Sequence, residues 1–263
     1  MKKKVSEYIA QFLKEKGIKL VFELSGGMIM QLIDSMYLEG GLEIVNMHHE
    51  QAAAFAVDAI GRISGHPGIA LATSGPGAIN LLTGVGSCYF DSTPAIFITG
   101  QVNKHEMKGK RRIRQLGFQE TDIVSMAKPI TKLACRANSA DEIPQLLNKA
   151  FEISVAGRPG PVLIDIPMNF LLATIDVNDN RMQTLVSNDA HSDLNLTILA
   201  SLLKSIVKAK RPLILAGRGI FASDSVILLR QLVSKLHIPV VTSLLAVGSL
   251  SYDSPYNVGM IGT

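Results

Sequence analysis

Short apolar segments alternate with segments of helical periodicity along most of the chain. The runs 69–72 and 95–99 are apolar at nearly every position, whereas 50–64 repeats apolar residues at the spacing of a helix. A strand that is apolar at successive positions is buried on both faces, because alternate side chains point to opposite sides of a sheet. The pattern therefore predicts an α/β fold in which a parallel sheet is flanked by helices.

The predicted strands share this apolar character, and the predicted helices separate them. The strands are 19–24, 43–47, 69–72, 95–99, 130–134 and 162–166, and the clearest helices are 5–17, 50–64, 78–89 and 140–155. Ligands of parallel sheets gather at the carboxyl ends of the strands. We therefore expect the functional site at the turns Leu24–Gly27, Met47–Glu50, Ala72–Gly77 and Thr99–Val102.

The composition changes after the last of these strands. Residues 1–170 form one predicted domain, and the polar segment 171–192 lacks periodicity and is predicted to be a linker. Residues 193–263 repeat the helix–strand alternation and predict the start of a second, Rossmann-like α/β domain. Because about 70 residues are too few to close its sheet, we expect this domain to be partial and the chain to be truncated.

Charge and cysteine content argue against several classes of function. The net charge is +4, and much of it comes from the basic loop Lys104–Gln115, so nucleic-acid binding is not favoured. No run approaches the roughly 20 apolar residues of a membrane span, and the amino terminus lacks the apolar core of a signal peptide. Cys88 and Cys135 lack metal-site spacing. We expect a cytoplasmic protein without nucleic-acid or membrane partners.

The segment TSGPGAINLLTG, residues 73–84, leaves a strand and enters a helix. The first N–H groups of such a helix could hold an anion or a polar heterocycle. The segment matches neither a phosphate-binding Walker loop nor GxGxxG. A tight turn that serves packing alone is the open alternative.

Glu50 lies where an apolar strand gives way to an alanine-rich helix. His48, His49 and Glu50 are adjacent and lack the HExxH spacing, so they do not form a predicted metal site. A carboxylate that stabilises the helix amino terminus would explain the charge. It would not explain the apolar surroundings, so both a functional and a structural role stay open.

Three ordered segments carry a family resemblance: HHEQAAAFAVDAIGRISGHPGIALATSGPGAINLLTGVGSCYFDSTPAIFITGQV, GFQETDIV and GRPGPVLIDIP. Together they resemble the thiamine diphosphate-dependent enzymes of the acetolactate synthase-like family. The resemblance is close from Lys4 to about Pro167 and continues more loosely into that family's central domain. It implies that the first domain binds the aminopyrimidine of the cofactor. The diphosphate and Mg²⁺ belong to a third domain, whose GDG motif this chain lacks.

By this resemblance Glu50 shares a proton with ring nitrogen N1′ of the aminopyrimidine and so promotes deprotonation of thiazolium C2. Burial in a mainly apolar site, which favours the neutral form of a carboxyl group, would assist this exchange. The resemblance implies three further groups: Gly26 and Gly27 under the reacting centre, Thr73, Ser74 and Pro76 along the pyrimidine, and Phe118 and Gln119 facing the substrate. Gln119 would offer an amide donor to an oxyanion. Phe118 could instead anchor its loop in the core.

The resemblance implies decarboxylation of a 2-oxo acid and transfer of the acyl-anion equivalent to an acceptor, in a homodimer or homotetramer whose sites lie between subunits. The isolated chain would bind the cofactor weakly and be inactive. Met168 replaces the lysine expected after DIP, and the basic loop is longer than in the family. This loop could be merely solvated, or it could recruit an anion. A carboligase or lyase for a larger anionic substrate therefore stays open.

Two further alternatives are a non-catalytic nucleotide-binding fragment and a structural or regulatory fragment with a vestigial site. The first rests on LAGRGI, residues 215–220, which follows a predicted strand. Some relatives bind FAD in the central domain, but nothing in this sequence specifically supports a flavin.

Overall fold

A computed structural model describes residues 1–177 and 195–262. The chain divides into two compact units, Met1–Ser187 and Asn188–Thr263. Within the described residues, no helix combines the length and the apolar character that crossing a membrane requires.

The first unit is built on a six-stranded sheet in which all neighbouring strands are parallel and the order is β3-β2-β4-β5-β7-β6. The strands of the unit are β1 (Lys2–Lys4), β2 (Leu20–Glu23), β3 (Glu43–Asn46), β4 (Gly68–Ala72), β5 (Ala95–Gln101), β6 (Leu133–Arg136), β7 (Pro161–Pro167) and β8 (Thr174–Asp176), of which β1 and β8 pair with each other outside the six-stranded sheet. Its helices are α1 (Val5–Glu15), α2 (Met30–Glu39), α3 (Glu50–Ser64), α4 (Pro76–Asp91), α5 (Ile123–Ala127), α6 (Ile143–Val155) and α7 (Met168–Leu172).

Helices cover both faces of this sheet, and each face has its own apolar core. On β5, Ile96 and Ile98 pack in the cluster formed with α1, α2 and α6, whereas Phe97 packs in the cluster formed with α3, α4 and α5. Successive side chains of one strand thus enter opposite cores. The apolar residues at successive positions of these strands predicted this arrangement. The predicted α/β architecture is confirmed.

The order of the strands places a topological switch point beside β2. The chain passes from β2 to β3 on one side and then crosses to β4 on the other side of β2. Loops after these strands therefore diverge, which opens a crevice at the carboxyl edge of the sheet. The turns that follow β2, β3 and β4 meet there.

Two predicted boundaries were wrong. The strand predicted at 130–134 is β6, Leu133–Arg136, because Lys128–Ile130 forms a 3-10 turn with Pro129 in its first positions. Residues 171–177, predicted to begin the linker, instead end α7 and form β8, which pairs antiparallel with β1. This pairing joins distant parts of the chain and leaves no local signal. The rest of the predicted linker, 178–192, lies outside the described residues.

The second unit contains a three-stranded parallel sheet of order β11-β10-β9. Its elements are α8 (Leu196–Lys208), β9 (Ile214–Ala216), α9 (Gly219–Ala222), α10 (Val226–Leu236), β10 (Val240–Thr242) and β11 (Asn257–Met260). Its small core is formed by six buried residues: Ala216, Leu229, Val233, Val240, Ala246 and Leu250. The start of a second α/β domain is confirmed.

Candidate functional site

The turns after β2 and β4 are in direct contact at Gly26 and Thr73. A Cβ atom on Gly26 would lie 2.5 Å from Thr73 Cβ, a distance that real Cβ atoms essentially never show. The Met28 N–H donates a hydrogen bond to Thr73 Oγ1 at 3.4 Å. Glycine is therefore needed at position 26 for the two turns to approach this closely. Gly27, by contrast, faces open space, since a Cβ atom at this position would meet nothing within 4 Å.

Glu50 is the first residue of α3 and is buried, with only 6% of its surface exposed. His49 caps this helix, and its Nδ1 accepts a hydrogen bond from the Gln51 N–H at 3.1 Å. The Glu50 carboxylate reaches the beginning of α4, where the Asn80 side-chain amide donates to Oε2 at 2.9 Å. A Cβ atom on Gly77 would lie 3.0 Å from the other oxygen, Oε1. The carboxylate thus lies between the first turns of two helices, where their dipoles favour negative charge.

The turn between β4 and α4 approaches a second loop at Gln119. Gly75 adopts φ +66°, and a Cβ atom there would lie 2.7 Å from Gln119 Cβ. Gln119 itself has φ 62°, a left-handed conformation that is uncommon for a residue other than glycine. Such conformations persist only where the surrounding structure imposes them, and they cluster at functional sites.

Four of the predicted site residues, Gly26, Glu50, Thr73 and Gln119, therefore meet around the turn 73–77. The loop-anchoring alternative for Phe118 is wrong, because 75% of this side chain is exposed.

Ser74 and Pro76 lie in the same turn with opposite exposure. Ser74 is buried, and its hydroxyl has no hydrogen-bond partner within the part of the chain that the structure describes. Pro76 is exposed at the first position of α4. Because burial of an unpaired hydroxyl is unfavourable, Ser74 Oγ is a group that a polar ligand could satisfy.

Asn80 was missed in the sequence analysis. It is a polar residue between Ile79 and Leu81 on a helix whose inner face is apolar, and this placement was the available signal. Its amide makes the hydrogen bond to Glu50 described above.

A buried polar network was also missed, at the neighbouring strand ends. Asp165 of β7 is fully buried and accepts hydrogen bonds from Thr99 Oγ1 at 2.8 Å, Gln101 Nε2 at 3.1 Å and Arg136 Nε at 2.6 Å. Burial raises the pKa of Asp165, while the charge of Arg136 and these hydrogen bonds oppose the shift. Gln101 Nε2 also donates to the Thr121 carbonyl at 2.8 Å. The network thus ties the segment that carries Gln119 to the sheet.

Neither histidine near Glu50 belongs to a metal-binding cluster. In residues 1–177 and 195–262 no group of three or more His, Cys, Asp or Glu side chains is arranged to hold a metal ion.

The segment 215–220, on which the nucleotide-binding alternative rests, lies in the second unit. It leads into α9, which is a helix of only four residues.

Two family models match the chain. Residues 3–126 match the thiamine pyrophosphate enzyme N-terminal TPP binding domain, and residues 199–263 match the thiamine pyrophosphate enzyme central domain. Together these models cover more than half of the sequence. The chain belongs to the thiamine pyrophosphate enzyme family. The cluster of Glu50, Asn80, Thr73, Gly26 and Gln119 lies entirely within the part that matches the TPP binding domain.

Curated relatives of this thiamine pyrophosphate enzyme chain are acetolactate synthase large subunits. The chain is 36% identical over 262 residues to the probable acetolactate synthase large subunit of Methanocaldococcus jannaschii, covering 98% of this chain and 43% of that protein. It is 35% identical to the Lactococcus lactis large subunit and 34% identical to isozyme 2 of Escherichia coli, covering 98% of this chain and 44% and 45% of those proteins. It therefore spans less than half the length of these relatives.

Proposed function

We propose that this chain is the N-terminal portion of a thiamine diphosphate-dependent, acetolactate synthase-like enzyme. The enzyme would decarboxylate a 2-oxo acid and transfer the acyl-anion equivalent to an acceptor. The observation that carries this proposal is the buried Glu50 carboxylate, held by Asn80 beside the glycine turn 73–77. The names of the curated relatives support the same reaction class.

The residues around Glu50 suit a polar heterocycle. Ser74 Oγ is buried without a partner among the described residues, and the space beside Gly27 is open. We propose that Thr73, Ser74 and Pro76 line the aminopyrimidine, while Gly26 and Gly27 lie under the reacting centre. When bound, thiamine diphosphate supplies the electron sink that stabilises the carbanion.

Glu50 is the proposed proton-sharing group for the pyrimidine nitrogen. Its Oε2 accepts from Asn80, which leaves Oε1 on the side of Gly77. A carboxyl group held in one orientation and shielded from water can exchange a proton with a ring nitrogen without first reorganising solvent. His48 and His49 are exposed, and we assign them no role in this step.

Gln119 and Phe118 are the proposed substrate-facing residues. Gln119 lies against Gly75 of the turn 73–77, and its left-handed backbone is a conformation that only the surrounding structure can impose. Its amide would donate to the oxyanion of the substrate. The exposed Phe118 ring would cover the acyl group.

The Mg²⁺ and diphosphate sites would come from a part of the enzyme other than the two matched domains. Among residues 1–177 and 195–262, no observation supports an FAD site.

We also propose a homodimer or homotetramer. Exposed large apolar side chains on α4 and the neighbouring α5 support self-association: Ile79, Tyr89, Phe90 and Met126. Light scattering on the whole gene product would test the oligomeric state.

Product analysis tests the proposed reaction. The whole gene product that contains this chain would be incubated with thiamine diphosphate, Mg²⁺ and pyruvate, with and without candidate acceptors. We expect release of CO₂ and formation of a carboligation product, both lost in Glu50→Gln. A folded protein that binds the cofactor but releases no CO₂ from any 2-oxo acid would contradict the proposal.

A further inference from the structure

The basic loop Lys104–Gln115 carries six lysine and arginine residues in a short stretch: Lys104, Lys108, Lys110, Arg111, Arg112 and Arg114. These like charges repel one another, and holding them in one compact loop therefore costs free energy. The hydrogen bonds within the loop show which of its charged groups are left facing solvent.

Two acidic residues hold the base of the loop together through backbone groups. Glu120 Oε1 accepts from the Lys108 N–H and Oε2 from the Leu116 N–H, both at 2.8 Å. The Glu106 carbonyl accepts from the Gly117 N–H at 2.8 Å, and its carboxylate accepts from the Asn103 N–H at 3.1 Å. The loop is therefore a closed structure, and its two carboxylates are occupied by backbone donors.

The cations of the loop are not paired with its two carboxylates, although the charge of Lys108 acts on the Asp122 carboxylate outside the loop. Lys108 and Arg111 donate to carbonyl oxygens of the loop itself, and Lys110, Arg112 and Arg114 are exposed. Throughout 1–177 and 195–262, none of the basic-loop residues takes part in an ion pair. The six cations outnumber the two carboxylates Glu106 and Glu120, so the loop presents excess positive charge on a fixed backbone.

The loop lies next to the candidate site. Glu120, which closes its base, directly follows Gln119, which contacts Gly75 of the turn 73–77. At its other end, the Lys104 N–H donates to Asn169 Oδ1 at 2.8 Å and so fixes the loop beside α7. Exposed apolar side chains accompany the cations: Ile113, Leu116 and Phe118.

We propose that the basic loop binds the phosphate group of a phosphorylated organic acceptor. This inference rests on the proposed function, because it assigns the acceptor of the same carboligation. Arginine guanidinium groups match phosphate in a bidentate geometry, and three of the six cations are arginines. The adjacent apolar side chains would contact the organic part of the acceptor.

The test is a binding titration of this chain, followed by the amide NMR shifts of Lys108–Gly117 at constant ionic strength. The probes are inorganic diphosphate and, as a polycarboxylate of comparable charge, citrate. The loop variant Lys110→Gln/Arg112→Gln/Arg114→Gln is compared with Lys204→Gln/Lys208→Gln/Lys210→Gln, which removes the same charge from exposed positions of the second unit. No thiamine or 2-oxo acid is present, so the outcome is independent of the proposed reaction.

We expect the loop variant to bind diphosphate about tenfold more weakly than the unchanged chain, because hydrogen bonds to charged groups are lost. The control variant should stay within about twofold, since general charge screening is all that changes. Equal weakening in the two variants, or a response to citrate as strong as that to diphosphate, would overturn the proposal. Loop-dependent binding to vesicles of phosphatidic acid, stronger than that to soluble diphosphate, would overturn the assignment to a soluble acceptor.

Discussion

The Asn80 side-chain amide donates a 2.9 Å hydrogen bond to Glu50 Oε2 and thereby joins the fifth residue of α4 to the first residue of α3. The two helices follow different strands, so this contact fixes the carboxylate relative to two turns of the site at once. Proton exchange with a ring nitrogen requires a carboxyl group that is held in a fixed position, and not only one that is nearby.

Replacement of Asn80 by leucine should separate positioning from stability. Asn80→Leu keeps the size of the side chain and removes the donor, so the thiazolium C2 hydrogen exchange rate per folded molecule should fall by about tenfold or more. The free energy of unfolding should fall by about 1–2 kcal/mol. Exchange measured by quenched NMR, with unfolding in denaturant alongside, checks both. An unchanged exchange rate per folded molecule would assign Asn80 a structural role only.

The neighbouring glycines Gly26 and Gly27 offer a matched pair. Gly26→Ala would force a Cβ atom against Thr73 Cβ at 2.5 Å, so unfolding should become easier by about 1–3 kcal/mol. Gly27→Ala meets nothing within 4 Å and should change stability by less than about 0.5 kcal/mol. Urea unfolding of the two variants measures the difference. Equal stabilities would show that the two turns are not in close contact.

Replacement of Arg136 should show how strongly an unpaired buried charge destabilises the protein. Arg136→Met leaves the fully buried Asp165 without its cation and should destabilise the protein by about 3 kcal/mol. Arg136→Met/Asp165→Asn should recover part of that loss, because the neutral amide needs no counter-charge. A double-mutant cycle in denaturant measures this coupling. Additive effects of the two substitutions would contradict the proposed pairing.

The Cys88 thiol makes stability depend on alkaline pH. Burial raises the pKa of this thiol, and Asp58 Oδ1, 3.6 Å from Sγ, reinforces the shift. The folded chain thus keeps a proton that the unfolded chain loses above its usual pKa of about 8.5, so stability falls as pH rises.

Cys88→Ala removes this contribution. Between pH 8 and pH 10, the free energy of unfolding of the unchanged chain should therefore fall by about 2 kcal/mol more than that of Cys88→Ala. Denaturant unfolding at the two pH values measures it. A difference that does not depend on pH would contradict the raised pKa.

The sheet was predictable from the sequence because its strands are buried on both faces and therefore apolar at successive positions. The turns at the strand ends followed from the parallel arrangement. The β1–β8 pairing escaped prediction because Lys2–Lys4 is a charged segment whose only partner lies at the far end of the unit. Antiparallel pairing between distant short strands depends on the completed fold and not on local pattern.

The site was predicted less completely than the fold. The resemblance named Glu50, whereas its partner Asn80 and the network of Asp165, Arg136 and Gln101 became visible only through distances between elements. Local periodicity cannot show a hydrogen bond between side chains on two helices, because their relative placement is set by packing. The exposure of Phe118 likewise depends on how its loop is closed by Glu120.

Hydrogen–deuterium exchange at thiazolium C2 tests the central claim most directly. The whole gene product that contains this chain would be saturated with thiamine diphosphate and Mg²⁺ in D₂O, and exchange would be followed by quenched NMR. Glu43→Gln makes the same chemical change at the exposed first residue of β3 and serves as the control. We predict rapid exchange in the unchanged protein and in Glu43→Gln, and at least a hundredfold slower exchange in Glu50→Gln, a loss of about 2.7 kcal/mol. Normal exchange in Glu50→Gln would contradict the assignment of Glu50 as the proton-sharing group.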